Sequence, residues 1–306
     1  MKKVLVTGSS GFLGRNLLPF LQKKGVEVTA ITSKDCDLTD AASLSTIPLK
    51  EYDHIFHLAA WTQAGDFCLH HSGEQWIINQ QINTNILTWW KIYCPAARMI
   101  TFGTSVSYAT ENDLKEEKYL QGIPSDKFYA YAMTKRMLLV GLQSLNKQFG
   151  MEYLYVIPST LYGPNYHLDD RQMHFIFDLI RKILRGKIHD EPVILWGDGK
   201  QRRELVYVHD FVQTLLKLNE RSSNDYFNIG AGEDYSIREF AQAICSIVGF
   251  DIGKVQYDIT GYVGAKSKIL NIQKVRGIIP LENTPLVEGL KQTINWFAKE
   301  GSLFLN

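Results

Sequence analysis

The fold of this chain is decided by its first residues, Lys2-Lys3-Val4-Leu5-Val6-Thr7-Gly8-Ser9-Ser10-Gly11-Phe12-Leu13-Gly14. The run Lys2–Thr7 predicts a short strand, and Leu17, Leu18 and Leu21 predict an amphipathic helix after the glycines. A strand, a glycine turn and a helix present backbone N–H groups and the positive end of a helix to a pyrophosphate. The spacing is Gly-x-x-Gly-x-x-Gly, which predicts a dinucleotide site, with a plain tight turn as the alternative.

The end of the second predicted strand, Val26–Thr32, bears on the type of dinucleotide. An acid here would bind the ribose 2′-hydroxyl of NAD, but the strand is followed by Ser33 and Lys34. Small hydroxyls and a lysine suit the 2′-phosphate of NADP, although Asp35 keeps NAD possible and Lys34 could be a solvated loop residue. The cofactor-binding residues predicted in this segment are Ser33, Lys34, Asp37 and Leu38, the last two at the edge of the adenine pocket.

The run His54-Ile55-Phe56-His57-Leu58-Ala59-Ala60 is almost continuously apolar and predicts a buried parallel strand. Its small residues Ala59 and Ala60 would let the backbone of a cofactor lie close. Leu58, Ala59 and Ala60 are therefore predicted cofactor contacts.

A second pattern predicts the chemistry. Lys135 follows Tyr131 by four residues, so on a helix they share one face, and the ammonium would lower the pKa of the Tyr131 phenol. A carbonyl oxygen that gains a hydride needs a proton from such a group. The predicted strand Arg98–Phe102 is followed by Thr104, whose hydroxyl could bind the same substrate oxygen. Taken alone, Tyr131 and Lys135 could equally be two exposed helix residues.

The composition argues against several classes of protein. The 306 residues carry 33 Lys and Arg and 32 Asp and Glu, so the net charge of +1 gives no basis for binding nucleic acid or a membrane surface. No apolar run approaches the roughly 18 residues that span a bilayer, and Val4–Val6 is too short for a signal-peptide core, so a cytoplasmic location is expected. The cysteines have no Cys-x-x-Cys spacing, which predicts buried thiols and no metal site: Cys36, Cys68, Cys94 and Cys245.

Together these motifs resemble the extended short-chain dehydrogenase/reductase family, the enzymes that act on nucleotide sugars. The resemblance covers the whole chain and rests on the glycine turn, Leu58-Ala59-Ala60, Gly103-Thr104-Ser105, Tyr131-x-x-x-Lys135 and Leu161-Tyr162-Gly163-Pro164. Within the family, the GDP-L-fucose synthases, which epimerise and then reduce a GDP-linked 4-keto sugar, are most similar. That closer match rests on His174, on the run Leu195–Asp210 and on Lys268-Ile269-Leu270-Asn271.

The resemblance implies catalytic and binding roles for the matching residues. Tyr131 is implied as proton donor, Lys135 as its partner on the nicotinamide ribose and Thr104 as the active-site hydroxyl. His174 matches the general acid of epimerisation, although a lone histidine beside an apolar helix stripe is otherwise a structural group. Arg203 matches a nucleotide-contacting residue, with a solvated charge pair with Arg202 as the alternative. The full cofactor set is Gly8, Ser10, Gly11, Phe12, Leu13, Gly14, Ser33, Lys34, Asp37, Leu38, Leu58, Ala59, Ala60, Tyr131 and Lys135, and the substrate set is Thr104, Ser105, Val106, His174, Trp196, Arg203 and Lys268.

The chain departs from the fucose synthases at informative positions. Their epimerisation base is a cysteine two residues after the catalytic Ser or Thr, and here that residue is Val106, which cannot take a proton. Epimerisation beside a ketone needs a base on one face of the carbon and an acid on the other, so little or no epimerisation is expected. Thr160 replaces the asparagine of the family, and Ser10 and Ser33 stand where fucose synthases place arginines on the NADP phosphate.

The predicted fold class is α/β, a Rossmann-type doubly wound parallel sheet with a smaller C-terminal substrate-binding α/β region. Residues 1–163 and about 206–230 are expected to form the NAD(P)-binding domain, and residues 164–205 and 231–306 the nucleotide-sugar-binding domain. Helices are predicted at Glu74–Tyr93, Arg171–Leu184, Ser236–Val248 and Pro285–Lys299. The first of these is a candidate face for a homodimer, because family members often pair through two helices.

The expected activity is NADP(H)-dependent reduction of a nucleotide-linked 4-keto sugar, with GDP as the favoured nucleotide. A nucleotide-sugar 4-epimerase with tightly bound NAD is an alternative. Dehydration is not favoured, because family dehydratases carry an Asp-Glu pair where Ser105 and Val106 stand. A non-catalytic NADP-sensing regulator is an alternative of another class, although such a protein should have lost Tyr131 or Lys135.

Overall fold

The computed structural model describes residues 1–110, 113–169, 171–260 and 269–300. Lys268, a predicted substrate contact, lies outside these described residues. The strands within them are β1 (Lys3–Thr7), β2 (Glu27–Ile31), β3 (His54–His57), β4 (Arg98–Phe102), β5 (Tyr153–Pro158), β6 (Thr160–Tyr162), β7 (Val193–Trp196), β8 (Arg202–Arg203), β9 (Leu205–Tyr207), β10 (Asp225–Ile229), β11 (Tyr235–Ser236) and β12 (Val255–Asp258).

Helices separate most of these strands. Those within the described residues are α1 (Phe12–Lys23), α2 (Phe67–His70), α3 (Ser72–Tyr93), α4 (Tyr129–Phe149), α5 (Phe175–His189), α6 (Val208–Arg221), α7 (Ile237–Val248), α8 (Gln273–Arg276) and α9 (Leu286–Glu300). Short 3-10 turns occur at Ala42–Thr46, Ser105–Ser107, Glu116–Lys118, Asp126–Phe128 and Ile252–Lys254. No helix among the residues that the structure describes is long and apolar enough to cross a membrane.

A six-stranded parallel sheet forms the centre of the molecule, in the order β10-β5-β4-β3-β1-β2. Its strands are apolar because α1 and α6 pack together beside it, as do α3 and α4. Val4–Val6 and Leu154–Ile157 are completely buried. The predicted α/β class and parallel sheet are confirmed.

The sheet order fixes where a ligand would bind. The chain leaves β1 toward β2 on one side, whereas β3 pairs with β1 on the other. In open α/β sheets, ligands bind outside the carboxyl ends of the strands at such a topological switch point. The glycine turn after β1 and the segment Leu58–Ala60 after β3 therefore lie at the two sides of one crevice.

Two hydrophobic clusters lie in the described residues. The larger surrounds the central sheet, and the smaller contains buried residues of α5, α7 and α9, among them Ile180, Phe240 and Phe297. The strands β7 and β12 contribute Val193 and Val255 to the smaller cluster. The division of the chain at particular domain boundaries stays a prediction.

Two predicted elements differ from the structure. The helix expected from Arg171 begins only at Phe175, because His174 has an extended N-cap conformation with ψ of 147°. The strand expected at Val206–Val208 is β9, which pairs with β6 outside the central sheet. Ser159 separates β5 from β6, and β6 belongs with β9 to a separate two-stranded sheet.

Candidate active site

The glycine turn has the tight geometry that its sequence predicts. Gly8 has φ of +66°, and a Cβ there would lie 2.7 Å from the Ala59 nitrogen. A Cβ at Gly14 would lie 2.5 Å from the Ser9 carbonyl oxygen, so the helix can approach the turn only with glycine at this position. Gly11 caps α1 without any side-chain hydrogen bond, so no capping side chain covers the positive end of the helix. Ser10 and Gly11 are exposed there, and Phe12 and Leu13 are half-buried.

The segment after β2 presents a hydroxyl and an ammonium. The Asp35 carboxylate accepts hydrogen bonds from the Thr32 backbone nitrogen at 2.8 Å and hydroxyl at 2.7 Å, and these bonds lower the pKa of Asp35. Ser33 and Lys34 are exposed between those two residues. The carboxylate that kept NAD possible is thus hydrogen-bonded within its own turn.

The loop that follows is held by α3. The side-chain nitrogen of Asn85 donates to the carbonyl oxygen of Leu38 at 2.9 Å, and Leu38 is buried. Asp37 is exposed and accepts from the Thr39 backbone nitrogen at 2.9 Å. The predicted edge of the adenine pocket is therefore an ordered turn beside the crevice.

The carboxyl end of β3 lies directly against β1. The Thr7 hydroxyl oxygen is 2.8 Å from Nδ1 of His57 and accepts from the Ala59 nitrogen at 3.4 Å. Burial and the Lys135 ammonium lower the pKa of His57 to about 3, so its ring is neutral. Leu58, Ala59 and Ala60, which follow this junction, are half-buried.

Tyr131 and Lys135 lie on α4, as predicted, and α4 is tied to the strand end that carries Thr104. The Ser107 hydroxyl donates to the Ala132 carbonyl at 3.2 Å, and Nε of Arg136 donates to the Ser107 carbonyl at 2.9 Å. Both bonds are buried. Thr104 caps the 3-10 turn at Ser105–Ser107, which fixes its place relative to α4.

A group of buried phenols supports the same helix. The Tyr155 hydroxyl donates to the Lys135 carbonyl at 2.8 Å and lies 2.9 Å from the Tyr119 hydroxyl. A Cβ at Gly103 would lie 2.6 Å from the Tyr119 oxygen, which explains glycine at this position. The strand end and α4 are thus packed on a common set of aromatic side chains.

The predicted lowering of the Tyr131 pKa is wrong. Burial raises the pKa of Tyr131, nearby Cys68 adds to the effect, and a hydrogen bond to Thr62 offsets it only in part. Lys135 is 6% exposed, its nitrogen lies 5.8 Å from the Tyr131 ring centre, and burial lowers its pKa to about 8. Desolvation is thus the largest cause of both pKa shifts, and the phenol is neutral at pH 7.

A cleft of about 480 Å³ opens beside this constellation. Four predicted substrate residues line it: Ser105, Val106, Trp196 and Arg203. Thr104, Tyr131, Lys135 and His174 are outside its wall, although Thr104 directly precedes Ser105. The cleft therefore joins the strand end near the predicted catalytic residues to the region of Trp196 and Arg203.

Several residues of the cleft wall were not predicted. Lys182 on α5 pairs with Asp178 at 3.2 Å, and its nitrogen lies 5.8 Å from the Trp196 ring centre. Asp178 and Lys182 are four residues apart and lie outside the apolar stripe of α5. This spacing of opposite charges is the sequence signal that could have identified the pair. Lys127 and Glu204 also line the cleft.

Two predicted groups have surroundings that limit their roles. The backbone N–H of His174 donates a hydrogen bond to the Tyr166 hydroxyl at 3.2 Å. Burial lowers the pKa of the His174 ring to about 4, and nearby His167 adds to this effect, so the ring is uncharged at pH 7. Arg202 pairs with Asp234 at 2.7 Å, and its neighbour Arg203 lines the cleft.

Comparison with known proteins identifies the family of the chain. The sequence profile of the NAD dependent epimerase/dehydratase family matches residues 4–230. The chain belongs to this family. It is 29% identical to the GDP-L-fucose synthase of Dictyostelium discoideum, in an alignment that covers 97% of this chain and 95% of that protein. It is 27% identical to the GDP-L-colitose synthase of Yersinia pseudotuberculosis, in an alignment that covers 97% of this chain and 98% of that protein. The crystal structure of a GDP-L-fucose synthetase from Naegleria fowleri bound to NADP superimposes with a TM-score of 0.87 at 24% identity, covering 98% of this chain and 95% of that one.

Membership in the epimerase/dehydratase family confirms the predicted resemblance. The chain is an NAD(P)-dependent enzyme of the sugar epimerase and oxidoreductase type. The roles assigned to individual residues remain predictions, because the family match identifies no residue of this chain as catalytic.

Proposed function

We propose that this chain is an NADP(H)-dependent reductase of a GDP-linked 4-keto sugar. The observation that carries the proposal is the link between α4 and the Thr104 strand end through Ser107 and Arg136. It holds a neutral phenol and a hydroxyl at fixed positions beside a cleft that ends in Arg203 and Trp196. The relatives named as GDP-sugar synthases support a GDP-linked substrate.

In this mechanism the cofactor supplies the hydride that reduces C4 of the sugar. Tyr131 gives its proton to the oxygen that becomes negative at C4, and a phenol that is neutral at pH 7 is in the required state. Thr104 orients the same oxygen by a hydrogen bond. Lys135 would hold the nicotinamide ribose, and its ammonium would supply positive charge near the phenol.

The preference for NADP rests on the turn after β2. Ser33 and Lys34 are exposed there, while the Asp35 carboxylate is hydrogen-bonded to Thr32. An exposed ammonium favours the 2′-phosphate of NADP by charge attraction. The uncapped start of α1 and the small residues Ala59 and Ala60 would hold the diphosphate.

The proposed reaction is reduction without epimerisation. Val106 lines the cleft where the fucose synthases have a cysteine, and it has no group that exchanges protons. His174 is neutral near pH 7 and lies outside the wall of the cleft. Incubation of the keto sugar with the enzyme in D2O without cofactor should therefore give no rapid deuterium exchange at C3 or C5, and rapid exchange would contradict this part of the proposal.

We further propose that the smaller hydrophobic cluster supports the nucleotide-sugar domain. Trp196 is 67% exposed on the cleft side and can stack on the base. Arg203 and Lys182 supply positive charge for a diphosphate. Lys268, in the undescribed segment, would add a further contact.

The proposed assembly is a homodimer through α3 and α4. The two helices pack side by side, and Gly141 allows the approach of Leu87, whose methyl carbon would be 3.0 Å from an added Cβ. They carry large apolar side chains that are exposed: Trp76, Ile77, Ile92, Tyr93, Tyr129, Met137, Val140 and Phe149. Exposed apolar side chains on two packed helices favour an interaction site there.

The proposed activity is tested with GDP-, dTDP-, UDP- and CDP-linked 4-keto sugars, each with NADPH or NADH, followed at the nicotinamide absorbance. We expect oxidation of NADPH with the GDP sugar. Absence of oxidation across the whole panel would contradict the reductase, and turnover of a 4-hydroxy sugar without added cofactor would point to a 4-epimerase with bound NAD.

A further inference from the structure

The cleft wall contains a carboxylate that none of the proposed chemistry uses. Glu204 is 2% exposed and follows Arg203 directly. One carboxylate oxygen accepts from the Gly232 nitrogen at 2.8 Å and the other from the Leu270 nitrogen at 3.0 Å. Each oxygen therefore binds a backbone N–H from a different part of the chain.

These bonds join separate segments of the same cleft. Ser159 adds a third link, because its hydroxyl donates to the Glu204 carbonyl at 3.1 Å. Ser159, Arg203, Glu204 and Leu270 all line the cleft. One residue thus connects the end of β5, the start of β9 and the segment before α8 in a single wall.

The geometry around the carboxylate leaves little freedom. A Cβ at Gly230 would lie 2.4 Å from one Glu204 oxygen, so glycine at 230 makes room for the carboxylate. The bond to Gly232 lies close to the antiparallel pairing of β8 with β11, in which Arg203 is opposite Tyr235. The Glu204 carboxylate is thus bonded to the segment that leads into β11, the strand that pairs with the backbone of Arg203.

We propose that Glu204 is a positioning residue for the diphosphate of the nucleotide substrate. The inference rests on the proposed function, since it takes the cleft as the nucleotide-sugar site. Glu204 acts through its neighbours: it holds Leu270 and the turn at Gly232 in place and thereby sets the direction of the Arg203 guanidinium. It need not touch the substrate.

The test is the substitution Glu204→Gln, with GDP as the probe and isothermal titration calorimetry as the measurement. The amide keeps the size of the side chain but can accept from only one of the two N–H groups and turns a donor toward the other. Loss of one hydrogen bond to a charged group predicts a Kd for GDP about tenfold higher or more. The Kd for NADPH should change by less than about twofold, because the bonds of Glu204 lie away from the glycine turn.

Glu116→Gln provides a matched control. Glu116 is 4% exposed, accepts from the Asn228 nitrogen at 2.9 Å and is outside the cleft wall. Burial raises the pKa of both carboxyls, so the two substitutions remove similar groups from similar surroundings. We expect Glu116→Gln to lower the urea midpoint of unfolding as much as Glu204→Gln does, without changing the Kd for GDP.

The outcomes separate the two proposals. Equal GDP affinity in the wild type and Glu204→Gln would overturn the positioning role and leave the proposed function intact. Parallel loss of GDP and NADPH binding would show a general structural role and would also overturn it. A wild-type protein that binds none of GDP, UDP, dTDP and CDP would contradict the proposed function and the inference together. Glu204→Asp, which is too short to reach both donors, should repeat the loss of GDP affinity.

Discussion

The ammonium nitrogen of Lys135 lies 5.8 Å from the centre of the Tyr131 ring, and burial moves the pKa values of the two groups in opposite directions. The raised pKa keeps the Tyr131 phenol neutral to a higher pH than an ordinary tyrosine, whereas the Lys135 ammonium loses its proton near pH 8. Below about pH 8 the site therefore contains a proton donor and a cation together. That combination suits reduction, in which the donor must begin protonated.

The first prediction concerns pH. The value of kcat/KM for NADPH should fall as pH rises through about 8, because Lys135 then loses the charge that binds the ribose. Lys135→Arg should keep some activity and lose this alkaline limb, since a guanidinium stays charged. A wild-type profile that is flat from pH 7 to 10 would contradict the assignment.

The same shift predicts a change in stability. The pKa of Lys135 in the folded chain, about 8, is below the ordinary 10.5 of a lysine. Between these values the unfolded chain holds a proton that the folded chain has released, so the free energy of unfolding rises with pH across this window. Urea unfolding at several pH values should show this slope in the wild type and a smaller one in Lys135→Met.

The second prediction concerns the proton donor. Tyr131→Phe should lower kcat by about 10²- to 10⁴-fold, because a general acid is lost from the reducing step. Tyr129→Phe is the control: Tyr129 is 48% exposed, and the residue four positions after it is Met133. Steady-state kinetics with unchanged NADPH affinity would separate chemistry from folding, and undiminished turnover of Tyr131→Phe would rule out the mechanism.

The third prediction concerns Val106. Val106→Cys would place a thiol in the cleft wall where the resembling fucose synthases have their base. We expect deuterium exchange from D2O at C3 or C5 of the keto sugar to appear in this variant and to be absent in the wild type. Val106→Ala is the matched control, since it opens similar space without a proton-accepting group. Exchange that is equal in all three proteins would contradict the role given to this position.

The site was predictable where its requirements are local. Gly14 is needed because of a contact with Ser9 in the same strand-turn-helix unit, and Gly8 has the left-handed φ of +66° that a tight turn requires. Tyr131 and Lys135 share a helix face through their spacing alone. The direction of the Tyr131 pKa shift was not predictable, because it comes mainly from burial, and its neighbours Cys68 in α2 and Thr62 are far away in sequence.

The cleft wall was less predictable for the same reason. The role of Glu204 depends on its hydrogen bonds to the Gly232 and Leu270 nitrogens, and the role of Lys182 depends on its position near the Trp196 ring. Both are contacts between residues far apart in sequence. The start of α5 was also misplaced, since His174 adopts an extended cap that the apolar pattern does not reveal. Sequence spacing thus identifies groups on one element, whereas tertiary contacts decide their charge and direction.

The fourth prediction concerns assembly. Ile77 is 51% exposed on α3, and Ile77→Glu should shift the protein to monomer, because a charge would be buried without a partner in the proposed dimer. Leu49→Glu is the control, since Leu49 is 68% exposed outside α3 and α4. Sedimentation velocity measures the shift. A wild-type protein that is monomeric at every concentration tested would contradict the dimer.

The last prediction concerns the glycine turn. Gly8 and Gly25 have nearly the same backbone conformation, with φ of +66° and +69°, but an added Cβ meets the Ala59 nitrogen at 2.7 Å only at Gly8. Gly25→Ala should therefore lower the free energy of unfolding by roughly 1–2 kcal/mol, because a residue with a Cβ is strained in the left-handed conformation. Gly8→Ala adds a collision with the strand end that faces the cofactor, so it should cost more and also weaken NADPH binding. Equal losses of stability in the two variants, with NADPH affinity unchanged in both, would show that the contact between Gly8 and Ala59 does not shape the cofactor crevice.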